Sequence, residues 1–312
     1  MISSVFGKTK PVNYILVLSL LSVCFVLIHL RRFPLEDPIS ELPALALSLA
    51  CLLFSVLAVN FVVQRNQLTA PHSYAIYFFA LLALLFPEIM LDQATILANF
   101  FILLALRRLI SLKSLRDTQA KIFDGTLWIL ISSLFLNWAL LFLILVWIYI
   151  YFYEPKNFRN WLVPFAAFAA FALIGMAVAL VAGKPDYFYT HYRFEWEGTA
   201  EYWAAWRNSF KMGFFLLAVL GAGLVSSVKL GKSGHGKILT MRLMALALFV
   251  ALAVVVFRNS NEQNAVLLAF FPSVVFLSKY LETLRSDNIR EGILLGSLAL
   301  SLAVFLGEWV GK

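Results

Sequence analysis

The chain has 312 residues, of which 62% are hydrophobic and 15% aromatic, and only 13% are charged. With a mean hydropathy of +0.86, that composition excludes an ordinary soluble domain, which needs about twice as much charge to cover its surface. The net charge is +8, but the basic residues lie in short stretches between apolar runs. That pattern fits the orientation signals of a membrane protein and argues against nucleic-acid binding.

Lys8 and Lys10 precede an apolar run from Tyr14 to Leu30, which ends on Arg31 and Arg32 with no small-residue cleavage site. The reading is a retained first span rather than a removed signal peptide. A spanning helix needs about 20 apolar residues. Eleven segments come close, near 13–30, 42–63, 73–91, 94–110, 122–137, 138–153, 161–183, 209–228, 239–257, 265–281 and 291–308. The fifth and sixth meet at Asn137-Trp138 and read as one long tilted helix or as a tight hairpin.

Charge sidedness favours the hairpin. With eleven spans and a cytoplasmic N-terminus, the inner segments hold 17 of the 25 basic residues, and the outer segments hold 11 of the 17 acidic ones. Fusing the pair would turn Lys229, Lys232, Lys237 and Arg242 outward, against the positive-inside rule. The expectation is an all-α polytopic protein, a single helical domain over 1–312, multi-pass in a bacterial inner membrane, with its N-terminus in the cytoplasm and its C-terminus outside. Cys24 and Cys51 lie inside apolar runs and read as small buried residues.

The outer face then collects the polar chemistry. Arg31-Arg32-Phe33-Pro34-Leu35-Glu36-Asp37-Pro38-Ile39-Ser40-Glu41 puts two guanidiniums and three carboxylates beside a membrane segment, where charge is costly and often functional. Glu36 and Asp37 are the candidate base, since desolvation raises a carboxylate's pKa towards the range useful for proton abstraction. The same residues also suit a hydrated break between two spans. Glu88 and Asp92, after Pro87, form a second acidic element, either a solvated proline turn or a holder of acceptor or cation; oxygen donors of this kind suit Mg²⁺ or Mn²⁺. Arg258 follows an apolar run on the outer side, against the usual sidedness, and its fork suits a phosphate.

Between spans seven and eight, residues 184–208 are dense in Tyr, Trp and Phe. This composition suits a segment lying among lipid headgroups, or rings such as Trp196, Trp203 and Trp206 stacking on sugars. His191 and Trp196 in it, and Glu262 in the polar stretch 258–264, complete the substrate-contact candidates. Gly231-Lys232-Ser233-Gly234-His235-Gly236-Lys237 imitates the start of a phosphate-binding P-loop, but Ile238 stands where Ser or Thr is needed and no strand precedes it. It reads as a basic inner loop.

The opening Met1-Ile2-Ser3-Ser4-Val5-Phe6-Gly7-Lys8-Thr9-Lys10-Pro11-Val12-Asn13 resembles that of an uncharacterised family of bacterial multispanning inner-membrane proteins. Over residues 10 to 185 the layout resembles the GT-C superfamily of membrane glycosyltransferases, which take sugar from a polyprenyl-phosphate carrier on the outer side. Glu36-Asp37 matches the position of that superfamily's catalytic carboxylate after span one. Glu88 and Asp92 match its second acidic element, and the hairpin at Asn137 its short mid-chain helical pair. The layout differs in boxing the acidic pair between Pro34 and Pro38 and in having no large soluble C-terminal domain. The resemblance implies a GT-C-like bundle, a polyprenyl-phosphate-sugar donor and glycosyl transfer. The alternative is a non-catalytic membrane subunit of an envelope assembly or secretion complex, with the aromatic segment as its docking surface for envelope protein partners.

Overall fold

The structure is a computed structural model, and it describes residues 2–32, 38–194, 203–230, 235–258 and 264–310. Every regular element among the described residues is helical. In chain order they are α1 (Ile2–Phe6), α2 (Pro11–Arg32), α3 (Pro38–Arg65), α4 (Tyr74–Leu85), α5 (Gln93–Ile110), α6 (Thr118–Ser133), α7 (Leu143–Tyr153), α8 (Phe158–Val181), α9 (Tyr187–His191), α10 (Trp206–Leu230), α11 (His235–Arg258), α12 (Leu267–Thr283) and α13 (Asp287–Val310). Three 3₁₀ turns, Pro87–Met90, Ser111–Ser114 and Asn137–Phe142, join them.

All eleven apolar segments are therefore helical, but they are not alike. Seven, in α2, α3, α5, α8, α10, α11 and α13, are long and apolar enough to cross a membrane. Their outward faces are lined with bare aliphatic side chains: Val181 is 91% exposed and Val228 82%. In water such surfaces would drive aggregation, whereas acyl chains solvate them at no cost. This is a membrane protein. The shorter helices take the middle. α4, with only 12 residues, is buried along its whole length, and α12 is buried over most of its own. α12 packs on α4, α5, α10 and α11, and α4 also meets α2, α3 and α13. The two form a core wrapped by the longer helices, with Phe79 set edge-on to Phe270 between them.

Local chemistry ends these helices where the polar groups are needed. Phe86 precedes Pro87, whose ring disfavours helical backbone in the residue before it; Phe86 accordingly sits at φ −122°, ψ 67°, and α4 stops at Leu85. α8 ends in a Schellman turn on Gly183 at φ +68°, with Lys184 N donating to the Ala179 carbonyl at 2.9 Å and Gly183 N to that of Leu180 at 3.1 Å. Only a residue without Cβ takes that backbone cheaply, and the turn directs the chain into α9.

Contacts between distant loops sort the connections into two ends. At one, Glu282 accepts from Ala70 N at 2.6 Å and His72 Nε2 at 2.9 Å, and pairs with Lys279. Asn13 Nδ2 donates to Ser73 Oγ at 3.0 Å, Lys113 Nζ to the Asn66 carbonyl and Lys229 Nζ to that of Thr283, both at 2.7 Å. Glu291 caps α1 by accepting from the amides of Ile2 and Ser3. Near this end Asn60 Nδ2 of α3 donates to the hydroxyl of Tyr14 in α2, so α2 and α3 run antiparallel. The end of α2 and the start of α3 lie at the opposite end, where α2 also touches the Pro87–Met90 turn.

Candidate functional site

The most concentrated polar chemistry among the described residues lies at that opposite end. Lys211, one turn into α10, is 2% exposed, yet its ammonium donates to Glu88 Oε1 at 2.8 Å and to Glu308 Oε1 at 2.7 Å. Asn264 Nδ2, just ahead of α12, donates to the same Glu88 oxygen at 3.1 Å. Asn264 Oδ1 meanwhile accepts from Val266 N at 3.0 Å, which pins the start of α12. Four separate stretches thus meet in one cluster around Glu88 and Lys211. The Phe86 ring lies under the ammonium, its centroid 5.7 Å from Nζ, with Phe215 edge-on to that ring. A lysine so placed is tolerable only because it is paired, since a bare buried charge costs several kcal/mol.

The cluster holds two carboxylates for one ammonium. Both donors to Glu88 fall on its Oε1, whereas Oε2 is buried with no hydrogen-bond partner. About a fifth of the Glu88 and Glu308 side-chain surfaces remains exposed, so the site is reachable from its own end.

The other expected site residues have distinct positions. Glu36, Asp37, Trp196 and Glu262 lie outside the described residues. Asp92 is the N-cap of α5: its Oδ1 accepts from Thr95 N at 2.9 Å and its Oδ2 from Thr95 Oγ1 at 2.6 Å. Both oxygens are spent on the helix start. Glu88 faces an ammonium rather than its acidic neighbour, and no group of three His, Cys, Asp or Glu among the described residues could hold an ion. The pair does not fit a divalent cation. Arg258 closes α11 at the same end as Asn264, and its neighbour Phe257 stacks on Trp138 at 4.7 Å.

The aromatic segment is docked in its first half. His191 Nε2 donates to the Ser133 carbonyl at 2.7 Å, and its ring stacks on Tyr187. Tyr187 donates to the Leu134 carbonyl at 3.0 Å, and Tyr192 shares a 2.7 Å hydrogen bond with Ser133 Oγ. Asn137 Nδ2 reaches the Arg193 carbonyl at 3.2 Å. His191 therefore anchors α9 on the end of α6.

No family model, curated protein or solved structure matches this chain.

The residues that sequence reasoning passed over are Lys211 and Glu308. Their signal was available: each is an ionisable group at the edge of an apolar run, and such groups seek partners. What could not be read was which partner, because Lys211 meets Glu88 across 123 positions and Glu308 across 97.

Proposed function

We propose that the chain is a GT-C-like membrane glycosyltransferase that moves a sugar from a polyprenyl-phosphate carrier to an acceptor at the Glu88 end. In this reading the eleven helical segments all traverse the bilayer of a bacterial inner membrane, and the basic Glu282 end faces the cytoplasm. The observation that carries the proposal is the meeting of Glu88, Lys211, Asn264 and Glu308 at the end where α2 finishes and α3 starts. Polar groups from distant stretches are gathered at one membrane face, as a headgroup-handling site requires.

The chemistry proposed at that end is glycosyl transfer. Glu36 or Asp37 takes the proton of the acceptor hydroxyl; the oxygen bonds to the anomeric carbon as the bond from that carbon to the phosphate oxygen breaks. Arg258 holds the departing phosphate. The 184–208 segment, through Trp196, covers the sugar. Glu88 and Asp92, engaged elsewhere, are given no metal to hold in this scheme. The test is a comparison of polyprenyl-linked sugars, by mass spectrometry of membranes from the native host, between the wild-type strain and one carrying Glu36→Gln with Asp37→Asn. Accumulation of a sugar-loaded carrier in the variant is expected. An unchanged carrier pool with a normally inserted variant overturns the proposal.

A second reading has its own support. Both Asp92 oxygens and His191 Nε2 are spent on holding the fold, as in a non-catalytic subunit of an envelope assembly. Stoichiometric co-purification of a partner, with the carrier pool unchanged, favours that reading.

A further inference from the structure

The Lys211 cluster has a charge problem that neither reading uses. With both carboxylates ionised it carries a net negative charge around an ammonium only 2% exposed. One bound proton makes it neutral. The hydrogen bonds say where that proton sits: both donors reach Glu88 Oε1 and none reaches the buried Oε2. An anionic oxygen left without a donor costs more than a neutral hydroxyl in the same place.

Among the described residues, no ionisable side chain besides Lys211 and Glu308 pairs within the cluster. Lys211 from α10 and Glu308 from α13 face Glu88 directly. Asp92 at the head of α5 is turned to Thr95, and His29 near the end of α2 has Nδ1 on the Phe25 carbonyl. α4 brings only apolar groups here, Leu85 and then Phe86, and the stretch before α12 brings the neutral Asn264.

We infer that Glu88 holds one ionisable proton beside Lys211, making the cluster a proton-binding site that reports the pH at its own end of the bundle. On deprotonation the proton leaves Glu88 for water through the exposed part of that side chain, and the ammonium is then held between two anions. Uptake reverses the step. No second reactant is needed. The site binds its proton whether or not the chain transfers sugar.

The experiment is an infrared pH titration of the full-length protein in phospholipid nanodiscs, following the carbonyl stretch of protonated carboxyl groups and its shift in heavy water. The wild type is expected to keep one such band at pH values where ordinary carboxylates are bare. Glu88→Gln, which copies the protonated acid and preserves the Lys211–Glu308 pair, loses that band; Asp92→Asn keeps it. In Glu308→Gln a single carboxylate faces the ammonium, and the band disappears at markedly lower pH than in the wild type. Absence of the band in the wild type, its survival in Glu88→Gln, or an unchanged midpoint in Glu308→Gln overturns the inference.

Discussion

Replacing Lys211 by Met tests how far the Glu88 end depends on one ammonium. Met has a similar length and no charge, so apolar packing against Phe86 is largely kept, and the change isolates electrostatics. Two carboxylates that both touched the Nζ atom, at 2.8 and 2.7 Å, then face each other across about 5 Å. At an effective dielectric near 20 their repulsion is about 3 kcal/mol. Removing one partner of a buried pair costs about 3–5 kcal/mol in general, so the two estimates agree. Part of the cost is escaped by protonating a carboxyl. Because a proton on Glu88 removes that repulsion, the variant is expected to be less destabilised in acid than at neutral pH. The assay is thermal unfolding in detergent across a pH series. A depression on the order of 10 °C is expected at neutral pH, smaller in acid, and mostly repaired by adding Glu88→Gln. A loss below about 1 kcal/mol, the worth of an exposed ion pair, or a loss that Glu88→Gln does not repair, would refute the reasoning.

Asp92→Ala removes a cap that accepts from both the amide and the hydroxyl of Thr95; it should cost roughly 0.5–2 kcal/mol, read as a lower unfolding midpoint with function retained. Gly125→Val should be worse tolerated than its apolar character suggests. A Cβ there already meets Leu109 Cδ2 at 3.0 Å, so the larger side chain forces α5 from α6 at about 1–3 kcal/mol, seen in the same melting assay. Single cysteines at Asp186 and Lys156, both exposed, should react with an impermeant maleimide from opposite sides of oriented vesicles when Cys24 and Cys51 are replaced by Ala. Labelling of both from one side would break the two-ended arrangement on which the proposed function rests.

The helices were legible because the information is local. Each apolar run became a helix, and the break at Phe86-Pro87 is a two-residue effect that sequence can show. The depth of each helix was not. The run 73–91 reads as a span like the others, and the structure adds that its helix α4 has 12 residues buried on all sides, because whether an apolar side chain meets lipid or protein depends on neighbours far along the chain. The site was legible to a similar extent. Glu88 stood out as an acid at the end of an apolar run, and its nearest acid, Asp92, was the natural partner to assume. The structure turns the two carboxylates to different tasks, Asp92 to Thr95 and Glu88 to Lys211. Capping was readable from the Asp92-to-Thr95 spacing, but an ion pair across the bundle was not, since nothing local to Lys211 distinguishes Glu88 from any other carboxylate.

The shortness of α4 has a bearing on how any substrate arrives. Twelve residues rise about 18 Å, whereas the oily layer of a bilayer is about 30 Å deep. If the turn bearing Tyr74 is level with one surface, Glu88 stops roughly 10 Å below the other. The surrounding leaflet must thin there, or a water-filled dimple must sink to the carboxylates. In either case a molecule whose tail is anchored in that leaflet meets these charges from the side, without having to leave its layer.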